Sequence, residues 1–149
     1  MSYSTTRRCD VCGATNRVSA KNLADTGRCG SCKAALPPAR EPLEVGTRDF
    51  DEIVREARVP IMVDFWAAWC GPCHAAAPEV NALAREMAGR ALILKVDIDA
   101  HAELAARFGV QSIPNFVVLR NGQTVFQQPG LVGRQQMRSW LESAGARAA

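Results

Sequence analysis

Cys70 and Cys73 stand two residues apart within DFWAAWCGPCH, residues 64–74, beside Trp66 and Trp69 and with Asp64 six residues upstream of the first thiol. Thiols at this spacing suit disulfide exchange or half of a metal site. Four more cysteines lie near the N-terminus as Cys9/Cys12 and Cys29/Cys32, two residues apart within each pair and 16 residues apart between pairs. That spacing fits a four-thiolate zinc site, since zinc takes four soft ligands in a tetrahedron. Gly13 and Gly30 are expected to permit the tight turns that aim two sulfurs at one ion.

The 70/73 pair has a different setting. An apolar, strand-favouring run at 60–66 precedes it and a helical pattern follows, with Val80, Leu83, Ala84 and Met87 on one face. Cys70 is therefore expected at a helix N-terminus, where free N–H groups and the helix dipole stabilise a thiolate, the species that attacks a disulfide. Cys73, one turn further in, is placed to resolve the mixed disulfide. Gly71 shapes the turn and Pro72 suits a first helical turn. This predicts an exposed Cys70 and a shielded Cys73.

Asp64 falls in the middle of the apolar strand, where burial should raise its pKa. A carboxyl poised near neutrality could accept the Cys73 proton, and Lys95 on the neighbouring strand could tune it.

The elements that must position these groups are legible in outline. Phe50, Ile53, Val54 and Ala57 recur at helical spacing behind Thr47 as an expected N-cap. Residues 91–97 form a second buried strand, so strand, helix and strand make a right-handed parallel unit. The helix between them contains Pro78, where a kink is expected. A helix near 101–108 leads to a hairpin turning at Asn121-Gly122, and a last helix carries Met137, Trp140, Leu141 and Ala144 on one face. The fold class is α/β: a mixed central sheet flanked by helices, with a small N-terminal four-cysteine unit. Three prolines in 35–44 mark a linker. The expected division is a zinc-binding unit at 1–35, a linker at 36–44 and the redox domain at 45–149.

Composition narrows the function. The 149 residues are 48% hydrophobic, enough for one domain with a core and a small appendage. Residues 1–40 carry seven Lys/Arg against two Asp/Glu, leaving eleven against thirteen elsewhere. A basic tail can bind nucleic acid, but Tyr3 is the only aromatic residue before position 41, which disfavours base stacking. No run approaches a membrane span of ~18 apolar residues, and no export signal is evident. The expectation is a cytoplasmic protein, in which CxxC pairs mean metal or redox chemistry rather than a disulfide framework.

The stretch VDFWAAWCGPC, with Ile113-Pro114 following 40 residues after Cys73, resembles the thioredoxin family. With the four N-terminal cysteines, the chain is similar to the zinc-containing, thioredoxin-2 type of that family over nearly its whole length. The resemblance implies the thioredoxin fold, protein-disulfide reduction, a cis peptide at Ile113-Pro114, and a rim of Trp69, Ile113, Pro114 and Gly130 that docks substrate, with Trp66 as packing beneath. It also implies a zinc ion held by Cys9, Cys12, Cys29 and Cys32, disulfide-containing substrate proteins, an NADPH-linked flavoprotein thioredoxin reductase as partner, and a role in cytoplasmic thiol homeostasis and oxidative stress. Nothing in the sequence demands more than a monomer. His74 departs from the pattern, standing where the family usually has Lys or Arg; with no evident partner it reads as a solvated side chain. The rival reading is a redox-responsive module, in which oxidation of the zinc thiolates alters a protein-docking surface.

Overall fold

A computed structural model describes residues 2–147, so Met1 and the last two positions of the expected 45–149 domain lie outside the described residues. The N-terminal part is built from two short antiparallel hairpins, β1 (Ser4–Arg8) with β2 (Thr15–Ser19) and β3 (Gly27–Arg28) with β4 (Ala35–Leu36), separated by a one-turn 3-10 helix at Ala20–Asn22. Each cysteine pair occupies the turn of one hairpin.

The remainder runs β5 (Leu43–Glu44), α1 (Thr47–Glu56), β6 (Ile61–Trp66), α2 (Gly71–Glu86), β7 (Leu92–Asp97), α3 (Ala102–Arg107), β8 (Asn115–Arg120), β9 (Gln123–Pro129) and α4 (Arg134–Ser143). The sheet order is β5-β7-β6-β8-β9, parallel among the first three strands and antiparallel across β6-β8-β9. The mixed α/β sheet thus matches the expected fold class. Asn121 and Gly122 have φ of 53° and 78°, the double left-handed geometry that a two-residue hairpin turn needs.

Strand alternation divides the core. Ile61, Val63 and Phe65 of β6 point to one face with Phe50 and Ile53 of α1 and Leu104 of α3. Met62 points to the other face, with Val80 and Leu83 of α2 and Met137 and Leu141 of α4. Pro78 lies inside α2, which continues as one helix across it.

Two local expectations are corrected. Gly46, not Thr47, is the N-cap of α1, and the Thr47 hydroxyl donates instead to Glu103 at 2.5 Å. A Cβ at Gly46 would lie 2.6 Å from the His101 ring, so glycine is what lets that ring sit there. The stretch at 36–44 is not wholly a connector, because Leu36 closes the second hairpin and Leu43–Glu44 pair with Leu94 and Lys95 as the sheet edge.

How the appendage sits on the body, which the sequence leaves open, follows from its contacts. Val18, Ala20 and Leu23 join the same buried cluster as Phe50 and Ile53, and Leu23 is fully buried. The Tyr3 N–H donates to Glu52 at 2.8 Å, and the Ala39 N–H donates to the Leu23 carbonyl at 2.8 Å. Arg7 bonds the carbonyls of Pro37 and Leu23. The four-cysteine unit and the body therefore share one core, the answer for a segment too short to enclose its own.

Candidate functional site

Cys70 follows the C-terminal end of β6 and caps α2, with its Sγ accepting from the Cys73 N–H at 3.1 Å. Pro72 occupies the first turn, where its missing N–H costs no helical bond. Cys73 sits one turn inside and is joined to Cys70 as a disulfide. Ala67, Trp66, Ile98 and Ile113 pack around the pair. Both cysteines are nearly buried, at 4% and 5% exposure, so the expected contrast of an open Cys70 and a shielded Cys73 is absent in this oxidised state. Each sulfur shields the other when they are bonded; what distinguishes Cys70 is its position at the helix N-terminus.

The expected rim surrounds this pair in part. The Ile113-Pro114 peptide is cis, and the Ile113 carbonyl lies 3.8 Å from Cys70 Sγ. The Gly130 N–H donates to the Pro114 carbonyl at 2.8 Å, with Gly130 at φ +100°, a conformation that favours glycine. Trp69 is 68% exposed, and its indole N–H donates to Asp99 at 2.9 Å. Asp99 carried no sequence signal, since it acts from a different loop.

Asp64 lies in the middle of β6 at 2% exposure, on the sheet face covered by α2, between Phe116 of β8 and Lys95 of β7 in register. Its Oδ1 has no hydrogen-bond partner among the described residues. Burial pushes its pKa from 3.8 up to about 6, opposed by the nearby Lys95 charge and assisted by Glu44. The Lys95 ammonium also stands 4.6 Å from the centroid of the Trp66 ring. Glu44, on the edge strand that the linker reading concealed, is the added member of this group.

Because folded Asp64 holds its proton more tightly than the unfolded chain does, its ionisation opposes folding. Stability from this group is fully present below about pH 4, falls as pH rises through about 6, and is then lost, at a cost of roughly 3 kcal/mol for a two-unit shift. Asp64→Asn is accordingly expected to stabilise the oxidised protein by up to about 3 kcal/mol at pH 8 and by far less at pH 4, read by denaturant unfolding at both. An equal gain at the two pH values would contradict the burial argument.

His74 is exposed on α2, but it has the partner that the sequence did not show: its Nε2 lies 2.6 Å from the Ala68 carbonyl, to which an Nε2–H donates. That contact holds the ring on the loop before the dithiol rather than on a sulfur. His74→Lys is expected to move the Cys70 thiolate titration by less than about one pH unit, measured by thiolate absorbance; a larger shift would show that the ring acts on the sulfur.

The second cluster is tighter. All four sulfurs of Cys9, Cys12, Cys29 and Cys32 lie within 4.8 Å of one another, with Cys9–Cys32 and Cys12–Cys29 at 3.6 Å and none in a disulfide. A tetrahedron with Zn–S bonds of about 2.3 Å sets its sulfurs about 3.8 Å apart, so the donor set fits zinc. Both turns have one design: the N–H of Cys9 donates to the Ala14 carbonyl and that of Gly13 to Cys9, while the N–H of Cys29 donates to Ala34 and that of Lys33 to Cys29. The left-handed residues are Gly13 at φ 79° and Lys33 at φ 66°, so Lys33 has the role expected of Gly30. The N–H groups of Val11 and Ser31 point to Cys9 and Cys29 sulfurs at 3.4 Å, the supporting shell that thiolate ligands need. Asn16, which the motif did not reveal, donates to Cys29 Sγ at 3.6 Å and accepts from the Gly30 N–H at 2.9 Å. The Cys29 thiol is drawn down to about 6 by the Cys32 N–H, the Asn16 amide and the Ser31 N–H.

Comparison with known proteins agrees with this geometry. A thioredoxin family model matches residues 41–143, and the model described as "Thioredoxin 2, N-terminal" matches residues 8–34. The chain is 34% identical to thioredoxin C-3 of Corynebacterium nephridii over 134 residues, covering 90% of this chain and 91% of that protein. It is 40% identical to a thioredoxin of Haemophilus influenzae over 101 residues, covering 68% and 94%. Among solved structures, a thioredoxin variant from Halobacterium salinarum superposes with a TM-score of 0.68 at 30% identity, covering 74% of this chain and 96% of that one. A thiol-disulfide oxidoreductase pair at the end of a mixed sheet, joined to a four-thiolate ribbon, therefore places this chain in the thioredoxin family, with a zinc ribbon of the thioredoxin 2 type at its N-terminus.

Proposed function

We propose that the protein is a protein-disulfide reductase of the cytoplasm, serving thiol homeostasis and defence against oxidative stress. In the reduced state the Cys70 thiolate attacks one sulfur of a substrate disulfide. A Cys70–substrate S–S bond forms, the substrate bond breaks, and the other substrate sulfur leaves as a thiolate. Cys73, having given up its proton, then attacks the Cys70 sulfur; the Cys70–Cys73 bond forms and the second substrate thiolate departs. Two electrons pass to the substrate.

The observation that carries this reading is the placement of Cys70 as the N-cap of α2 with its sulfur on the Cys73 N–H. An N-terminal sulfur is the better thiolate and the first attacker. Asp64 acts as proton acceptor for Cys73, through a water or a small movement since no direct hydrogen bond joins them, and Lys95 tunes it. Gly71 and Pro72 hold the turn between the two sulfurs. Trp69, Ile113, Pro114 and Gly130 dock the substrate backbone at the rim. A flavoprotein thioredoxin reductase linked to NADPH restores the dithiol, disulfide-containing proteins are the substrates, and neither nucleic acid nor membrane is a partner. The protein acts as a monomer.

Cys9, Cys12, Cys29 and Cys32 hold one zinc ion, which supplies a cross-link for the unit at 1–35. The shared core of Val18 and Leu23 with α1 supports a structural role over a detachable redox module. The order of attack is tested with Cys73→Ser and a disulfide substrate. A mixed disulfide at Cys70 should accumulate and be seen as one added substrate mass; an adduct that forms equally in Cys70→Ser would overturn the assignment.

A further inference from the structure

At the opposite end of the sheet from the dithiol, a six-residue strand or roughly 20 Å away, the ribbon and the body enclose an open cleft of about 760 Å³. Lys21 lines it from the ribbon side, and Arg58, Arg90, Arg120 and Arg147 line it from the body. Among the described residues the one carboxylate in its lining is Asp25, which pairs with Arg58 at 3.2 Å. Five cations against one anion among the described residues leave a surplus of four positive charges in one concavity.

Several arginines elsewhere on the body are compensated by carboxylates: Arg107 meets Asp51, and Arg134 and Arg138 meet Glu86. Two in the cleft, Arg90 and Arg120, are held differently. Arg90, half-buried, donates to the carbonyls of Glu86 at 2.7 Å and Arg147 at 2.8 Å. Arg120, also half-buried, donates to the Arg58 carbonyl at 3.5 Å and lies against Gly145, where a Cβ would come within 3.7 Å of its guanidinium carbon. Neither meets a carboxylate among the described residues. Backbone carbonyls orient a guanidinium without neutralising it, and the rest of its five N–H donors stay available. Pre-oriented, uncompensated arginines match phosphate oxygens.

We propose that this cleft binds a small molecule carrying two or three linked phosphates. Its volume lies in the range of small-ligand sites, and its charge surplus equals that of a nucleoside triphosphate or a short oligophosphate. Pro38, Val59 and Leu92 supply an apolar wall that a base or sugar could cover. Because the walls come from both parts of the chain, an occupant ties the ribbon to the body at a place remote from the redox pair.

The test is calorimetric titration of the full zinc-loaded chain with ATP, ADP and pyrophosphate at about 0.15 M salt, where exposed charges are largely screened. One-to-one saturable binding is expected, weakened about tenfold or more by Arg90→Gln or Arg120→Gln and about threefold by the exposed Arg58→Gln. Arg134→Gln, outside the cleft, should change nothing. Tighter binding of ADP than of pyrophosphate would identify a nucleotide, and equal binding a bare oligophosphate; either supports the site. Hydrogen exchange of the unmutated protein supplies a readout free of folding effects, with slower exchange expected at residues 20–26 on adding ATP. Absence of saturable binding, equal weakening by Arg134→Gln, or heat accompanied by loss of zinc would overturn the proposal.

Discussion

Cys70→Ser is expected to lower insulin-disulfide reduction by roughly a thousandfold or more, to the level of buffer alone. The size follows from ionisation. A thiol capping a helix N-terminus is readily present as thiolate, whereas a serine hydroxyl at the same place is not ionised at any physiological pH and forms no stable bond to sulfur. The substitution is nearly isosteric, and a serine can still accept from the Cys73 N–H as an N-cap, so the fold should survive with α2 intact. Loss of activity with the unfolding behaviour of the reduced parent protein, which likewise lacks the Cys70–Cys73 bond, is therefore the expected pair of results. Retained reduction in Cys70→Ser would end the reductase reading, because the remaining redox thiol, Cys73, lies one turn inside the helix without that N-terminal setting.

The second large effect concerns the ribbon. Cys29→Ser should abolish stoichiometric zinc and release residues 2–36 from their packed state. Structural zinc in small domains supplies on the order of 10 kcal/mol of folding free energy at neutral pH, and this unit has little else. Its own cluster contains only Cys9, Cys29 and Leu36, with Ala14 and Ala34 beside it. The consequence should reach the body as well. Leu23 is fully buried and Val18 nearly so against α1, and exposing both costs about 3 to 6 kcal/mol by their side-chain burial alone. Metal analysis, hydrogen exchange over residues 15–24 and the unfolding midpoint of the whole chain measure the three parts. Zinc still bound one per chain with unchanged exchange would refute the four-thiolate assignment; lost zinc with an unchanged midpoint would refute the coupling through the shared core.

The same coupling bears on the rival of a redox-responsive module. If peroxide ejects zinc, the freed segment uncovers Phe50 and Ile53 of α1, on the face of the sheet opposite α2. Any oxidative signal from the ribbon would then be a change in stability of the reductase body, and it would not need direct contact with Cys70.

Much of the site was legible in the chain because its chemistry depends on local spacing. Two thiols separated by two residues can meet across one turn whatever else the protein does, and the strand-to-helix change around residue 70 is written in hydrophobic period. The four N-terminal cysteines are the same kind of signal. Asp64 was legible too, since a lone acid between apolar flanks is expected in a buried strand, and the burial found there pushes its pKa up.

What failed to show was whatever depends on partners distant in sequence. Nothing in residues 35–44 says that Leu43 and Glu44 will find β7, since a two-residue edge strand leaves no periodicity. Thr47 carries the sequence signature of a cap, but its hydroxyl is taken by Glu103 of α3, 56 residues further on. Lys33 has no feature marking a left-handed residue, and Asn16 and Asp99 acquire roles only when another loop is brought to them. Sequence by itself determined the reacting groups, their spacing and the α/β architecture, because those follow from short-range geometry and hydrophobic pattern. Only the tertiary structure decided that the ribbon shares the body's core and that arginines from distant segments line one cleft, because burial and charge density depend on which surfaces meet.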